Sequence, residues 1–172
     1  MLSEEISRSM MTRLASAGDV ALLKELEAVL RSRAEADFAE RLLAHSGRTV
    51  VLGFFGGRAA GYAVVNWQPA YNLFSRLDIP ELQDLNVLPA DRGRGLGGAL
   101  VKSCESLARE KGHAQMGLAV GLTRGYGAAQ RLYARLGYIP DGYGVTYDRQ
   151  AVQPGEIHAI DDNLCLMMVR DL

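Results

Sequence analysis

The sequence predicts an α/β fold built on a mixed, mostly antiparallel sheet, and three observations carry that prediction. A hairpin rich in valine and aromatics comes early, in "RTVVLGFFGGRAAGYAVVNW". A strand, a glycine-rich loop and a helix fill the middle, and strands return near the end. A doubly wound parallel fold would alternate strand and helix more regularly. At 172 residues and 48% hydrophobic, the chain can fill one core and is short for two, so residues 1–172 read as a single domain.

Taken in order, residues 4–12 read as a weak strand. Asp19 is placed to cap a helix whose apolar positions are Val20, Leu23, Leu26, Val29 and Leu30. A second helix is expected from about Ala34 to His45. Gly56-Gly57 then supplies the hairpin turn. "ELQDLNVL" gives the next strand, and Leu96 to Lys111 a helix with Leu96, Leu100, Cys104 and Leu107 on one face, ended by Gly112. Met116, Leu118 and Val120 alternate as a strand; a helix from about Tyr126 to Leu136 stops at Gly137. Two more strands are expected around Val145 and over Leu164 to Val169.

Nineteen basic against twenty acidic residues leave a formal charge of -1, which excludes a broad basic field for nucleic acid or anionic lipid. Any positive site must be local. Two cysteines, no signal-peptide core in the first twenty residues and no apolar run able to cross a bilayer point to a soluble, reduced, cytoplasmic protein. His45, His113 and His158 share no motif, and no metal is called for.

The local positive site is "LPADRGRGLGGAL", Leu88 to Leu100, and it admits two readings. Gly93, Gly95 and Gly98 spell the dinucleotide pattern GxGxxG, while Arg92, Gly95 and Gly97 spell Arg-x-x-Gly-x-Gly. The first needs an acidic residue about 20 positions on, at the end of the next strand, to hold ribose hydroxyls. No Asp or Glu lies between His113 and Ile139. In either case the physics is that of an anion site: glycines let phosphate approach backbone, a helix N-terminus offers unpaired N–H groups, and Arg92 and Arg94 add charge. A plain glycine-rich turn with solvated arginines is the bland alternative.

From Glu81 to Tyr138 the chain resembles the GNAT superfamily of acetyl-CoA-dependent N-acetyltransferases. "DLNVLPADRGRGLGGAL" matches that family's strand and Arg/Gln-x-x-Gly-x-Gly/Ala loop, and Ala129, Leu132, Tyr133, Gly137 and Tyr138 match its later Ala-x-x-Leu-Tyr-x-x-x-Gly-Phe/Tyr helix. Tyr126 stands where many members have Asn. The resemblance implies a GNAT fold, its sheet splayed at the central strands and flanked by helices. It implies acetyl-CoA as cosubstrate, held by Arg92, Gly93, Arg94, Gly95, Leu96 and Gly97, by backbone at Leu85 and Val87, and at Tyr126. The activity implied is direct acetyl transfer to a primary amine on a small molecule or peptide, and a homodimer is left open. A non-catalytic acyl-CoA-binding sensor is the alternative of another class, and an NAD-dependent oxidoreductase a distant third.

Such a transfer has two proton problems, because the amine must lose a proton and the leaving thiolate must gain one. Tyr133 matches the family's tyrosine near the sulfur, and a phenol of pKa about 10 is protonated at neutral pH. Its helical spacing with Ala129, Leu132 and Leu136 equally suits a core tyrosine. Glu81 and Asp84 are the candidate bases, with Glu81 preferred by resemblance to carboxylates some relatives carry there. Trp67, Tyr71 and Phe74 lie in a loop that either shapes the acceptor site or plugs the core. Asp141, Asp148, Asp161 and Asp162, with Tyr143 and Tyr147, either attract a cationic acceptor or are simply solvated.

Overall fold

A computed structural model describes residues 9–30 and 35–172. The chain runs β1 (Met10–Leu14), α1 (Val20–Leu30), α2 (Phe38–Ala44), β2 (Arg48–Phe55), β3 (Arg58–Asn66), α3 (Asn72–Arg76), β4 (Glu81–Val87), α4 (Leu96–Glu110), β5 (Gln115–Gly121), α5 (Gly127–Arg135), β6 (Ile139–Tyr147), β7 (Gln150–Ala151) and β8 (Leu164–Asp171). One eight-stranded sheet has the order β1-β2-β3-β4-β5-β8-β6-β7. β4 and β5 are parallel, Glu81 opposite Gly117 and Leu82 opposite Leu118, whereas β1–β2, β2–β3, β5–β8, β6–β8 and β6–β7 are antiparallel. The expected mixed, mostly antiparallel sheet flanked by helices is therefore present.

Several boundaries differ from expectation. The first strand begins at Met10, later than expected, and residues 4–8 lie outside the described part, as does Ala34. Asp19 does not start a helix; it ends a short 3-10 turn, and its carboxylate reaches back to the Ser16 N–H at 2.8 Å and the Ser16 hydroxyl at 3.0 Å. The reason is its guanidinium partner: Arg13 donates to both Asp19 oxygens and fixes the carboxylate on that side. The three-residue offset from Ser16 makes Asp19 the acidic member of a capping arrangement that feeds α1. The short helix α3 falls inside the aromatic loop, which the sequence does not mark with any helical period.

Contacts group the described residues into two compact units, those of 9–30, 35–66 and 84–106, and those of 67–83 and 107–172. The first unit's core is Leu23, Leu26, Ala39, Leu42, Val50, Leu52, Phe54, Tyr62 and Val64. Within it, the predicted hairpin turns at Gly56 and Gly57, with φ 54° and 80°, the left-handed pair a two-residue turn needs. Gly61 explains itself by close approach: a Cβ there would stand 2.3 Å from the Asn86 carbonyl oxygen. Leu96 packs its side chain on Gly53, where an added Cβ would meet it at 2.9 Å.

In the second unit Tyr71, Phe74, Ile79 and Met167 form a core, with the Phe74 ring seated on Gly117. The aromatic loop thus plugs this core through Tyr71 and Phe74. Helices α4 and α5 end alike, at Gly112 (φ 86°) and Gly137 (φ 88°), with Ala108 O accepting from His113 N and Tyr133 O from Tyr138 N. Among the described residues no helix is long and apolar enough to cross a membrane.

Candidate active site

In the first unit, the chain leaves β4 through a 3-10 turn, Pro89–Asp91, and enters α4 across the glycine loop. Gly93 and Gly95 have φ of 74° and 93°, and a Cβ on either would meet nothing within 4 Å. Their backbone is bent as L side chains resist and borders open space, the geometry a phosphate can approach. The first α4 bond runs from Ala99 N to Gly95 O, and no acidic residue occupies the first turn, so the helix end keeps its positive dipole. Arg92 folds back, its Nε donating to Val87 O at 2.9 Å.

Arg94 is held differently. Its Nη1 donates to Asp91 Oδ1 at 2.9 Å and its guanidinium lies 4.1 Å over the Phe55 ring. Arg58, 33 residues earlier, donates to both oxygens of the same carboxylate, at 3.0 and 2.7 Å. Asp91 is 1% exposed, so two half-exposed guanidiniums clamp one buried carboxylate and leave one net positive charge beside the loop. Sequence reading missed Asp91 and Arg58 because a charge pair across 33 positions has no local pattern.

In the second unit, Glu81 opens β4 with 0% exposure. Its Oε1 accepts from Arg149 Nη2 at 2.9 Å, and its buried Oε2 has no hydrogen-bond partner among the described residues. Burial disfavours the Arg149 charge, but the Glu81 carboxylate outweighs it and raises the guanidinium's pKa. Burial likewise pushes the Cys165 thiol up, with Arg149 pulling it down and Glu81 pushing it up. Arg149 comes from the two-residue turn between Tyr147 and Gln150, where Asp148 and Arg149 have φ of 47° and 61°. Neither is glycine, so the turn is strained. The other expected base, Asp84, also has positive φ, 45°, inside β4. A left-handed residue there disrupts the regular ladder in the manner of a bulge.

Tyr133 is 7% exposed on α5, its ring edge-on to Tyr138 with centroids 5.9 Å apart. Tyr126 packs its ring on Gly121, where a Cβ would stand 2.4 Å from it. Burial and a hydrogen bond to Asp162 push the Tyr126 phenol up to about 12. The acidic residues are largely engaged by phenols: Tyr71 donates to Asp141 at 2.8 Å and Tyr147 to Asp161 at 2.8 Å. The histidines do not meet one another: His45 accepts from Gly47 N and His158 pairs with Glu156 nearby in sequence, while His113 reaches Asp78, 35 positions earlier. No metal-binding group of His, Cys, Asp and Glu occurs among the described residues.

Residues 19–138 match the acetyltransferase (GNAT) family model. The chain belongs to the GNAT acetyltransferases. Further comparisons agree with that membership. The GNAT chain is 31% identical over 109 residues to an uncharacterized N-acetyltransferase of Archaeoglobus fulgidus, covering 62% of this chain and 71% of the relative. A GNAT-family acetyltransferase structure from Desulfovibrio desulfuricans superposes with TM-score 0.70 at 20% identity, covering 95% and 99% of the two chains. The yncA protein of Salmonella typhimurium, solved with its cofactor acetyl-CoA, gives TM-score 0.67 at 23% identity over 95% and 94%. This GNAT chain is thus an acyltransferase of the acetyltransferase family, and its acceptor is a separate question.

Proposed function

We propose that this enzyme moves acetyl from acetyl-CoA directly to a primary amine. The observation that carries the reading is the Gly93–Gly95 backbone, left-handed and open at the N-terminus of α4. That cradle suits a pyrophosphate, with the N–H groups of Gly93 to Gly97 as donors and Arg92 and Arg94 as nearby charge. Arg94 acts from its clamp on Asp91, and Arg92 can exchange its Val87 contact for phosphate. Leu96 contributes its backbone there while its side chain stays on Gly53. β4 pairs with β5 at Glu81 and Leu82, and the backbone beyond them at Leu85 and Val87 suits a strand-like cosubstrate arm, Val87 O once Arg92 has left it.

The chemistry follows from two residues of the second unit. An ammonium first gives one proton to solvent, and Glu81 then takes the second as the amine nitrogen bonds to the thioester carbonyl carbon, using the oxygen Arg149 leaves unbound. The carbon–sulfur bond breaks, and Tyr133 donates its phenolic proton to the departing thiolate. Solvent then reprotonates the phenolate. Tyr126, tied to Asp162, acts by holding the start of α5 that carries Tyr133.

Incubation with acetyl-CoA and a panel of amines, reading free thiol, tests the proposal. Amine-dependent release of CoA is expected. Cosubstrate binding with no release from any amine would leave the acyl-CoA sensor instead.

A further inference from the structure

We infer that the acceptor is a free α-amino acid or an amino-acid-like zwitterion, whose carboxylate is recognised by Arg149 next to Glu81. The inference rests on the transferase reading above and names its substrate class. It starts from what the Glu81–Arg149 pair leaves undone. An arginine carries five N–H donors and a carboxylate two acceptor oxygens. Among the described residues, Arg149 makes one hydrogen bond, to Oε1, and Oε2 of the fully buried Glu81 makes none.

The same molecule shows how its structural pairs are built. Asp91 receives Arg58 on both oxygens, and Asp19 receives Arg13 on both. Those bidentate pairs satisfy the carboxylate, as a pair kept for stability should. Glu81–Arg149 is end-on and half-satisfied, which is costly for a buried carboxylate unless something else completes it. The Arg149 side chain is 34% exposed, against a fully buried Glu81, so the pair lies at the surface on the arginine side. The turn that presents it holds two consecutive non-glycine residues at positive φ, a strained backbone of the sort that accompanies function.

A ligand completing both halves needs an N–H donor for Glu81 and an anion for the guanidinium, close together. An α-amino acid has that pairing. A polyamine does not: it would face the Arg149 cation and bring no anion for the guanidinium. Lysine side chains and peptide N-termini lack the adjacent carboxylate.

The test compares each of the twenty L-amino acids with its α-amide and decarboxylated amine, reading thiol release as kcat/KM in the wild type, Arg149→Met and Arg149→Lys. At least one amino acid should exceed its amide and amine about tenfold or more, the effect of one charge-assisted hydrogen bond. Arg149→Met should bring that ratio toward one, and Arg149→Lys should retain part of it. Amides or amines matching every acid would overturn the inference, as would no turnover of any amino acid. So would Arg149→Met lowering acid and amide alike, since an unchanged ratio marks a merely structural arginine. Release with amines but no acid preference sinks only this inference; failure of acetyl-CoA to bind, read by thermal shift, sinks the transferase reading with it.

Discussion

Tyr133 sits on α5 with its ring packed edge-on against Tyr138, and its hydroxyl is the proposed proton donor. Tyr133→Phe keeps the first and deletes the second. If the phenol protonates the thiolate, the variant should lose about 10² to 10⁴ in kcat with little change in acetyl-CoA affinity, because the bond strengthens in the transition state. Steady-state kinetics and cosubstrate binding on one preparation decide it. Full turnover with stability lowered by roughly 1 kcal/mol would leave the hydroxyl as a structural hydrogen bond. The helical place of Tyr133 was legible in the sequence because Ala129, Leu132 and Tyr133 repeat along one face of α5. Arg149 was not, since it meets Glu81 across 68 positions. The turn that presents it lies between Tyr147 and Gln150 and lacks the Asn-Gly signal of a tight hairpin.

At the level of elements, α1 depends on a carboxylate lying before its first residue. Hydrogen bonding from Arg13 and from the Ser16 N–H holds Asp19 far below the usual carboxylate range. Because the folded pKa is depressed, the stabilisation is complete above the unfolded value near 4 and is lost as pH falls through the folded value. Asp19→Ala should cost about 1 kcal/mol at pH 7, the ordinary worth of a cap. Urea titrations at pH 7 and pH 3 should show the gap to wild type narrowing at the lower pH. An equal gap at both would mean that the lost interactions do not depend on the carboxylate's charge. The elements themselves were legible where a period or a glycine signal was strong, as in the Gly56-Gly57 hairpin and the Gly112 and Gly137 stops. α3 was not, because five residues give no period to read and its fold follows from Phe74 finding Gly117.

For the molecule as a whole, ligand choice separates the two readings of the glycine loop. Acetyl-CoA should raise Tm, since binding to the native state alone stabilises by mass action, about 2.7 kcal/mol at a hundredfold excess over Kd. NAD should leave Tm unchanged, as no acidic residue after the loop awaits its ribose. A shift with NAD and none with acetyl-CoA, followed by differential scanning fluorimetry, would reverse that assignment. The Asp148-Arg149 turn bears on any attempt to harden this protein against heat. Asn-Gly would relieve a turn with two left-handed residues, yet a screen for thermotolerance should reject that replacement. The same exchange removes the guanidinium from Glu81. A buried carboxylate stripped of its ion-pair partner costs about 3–5 kcal/mol, more than the turn returns, so a heat-adapted variant should keep Arg149 and find its gains elsewhere.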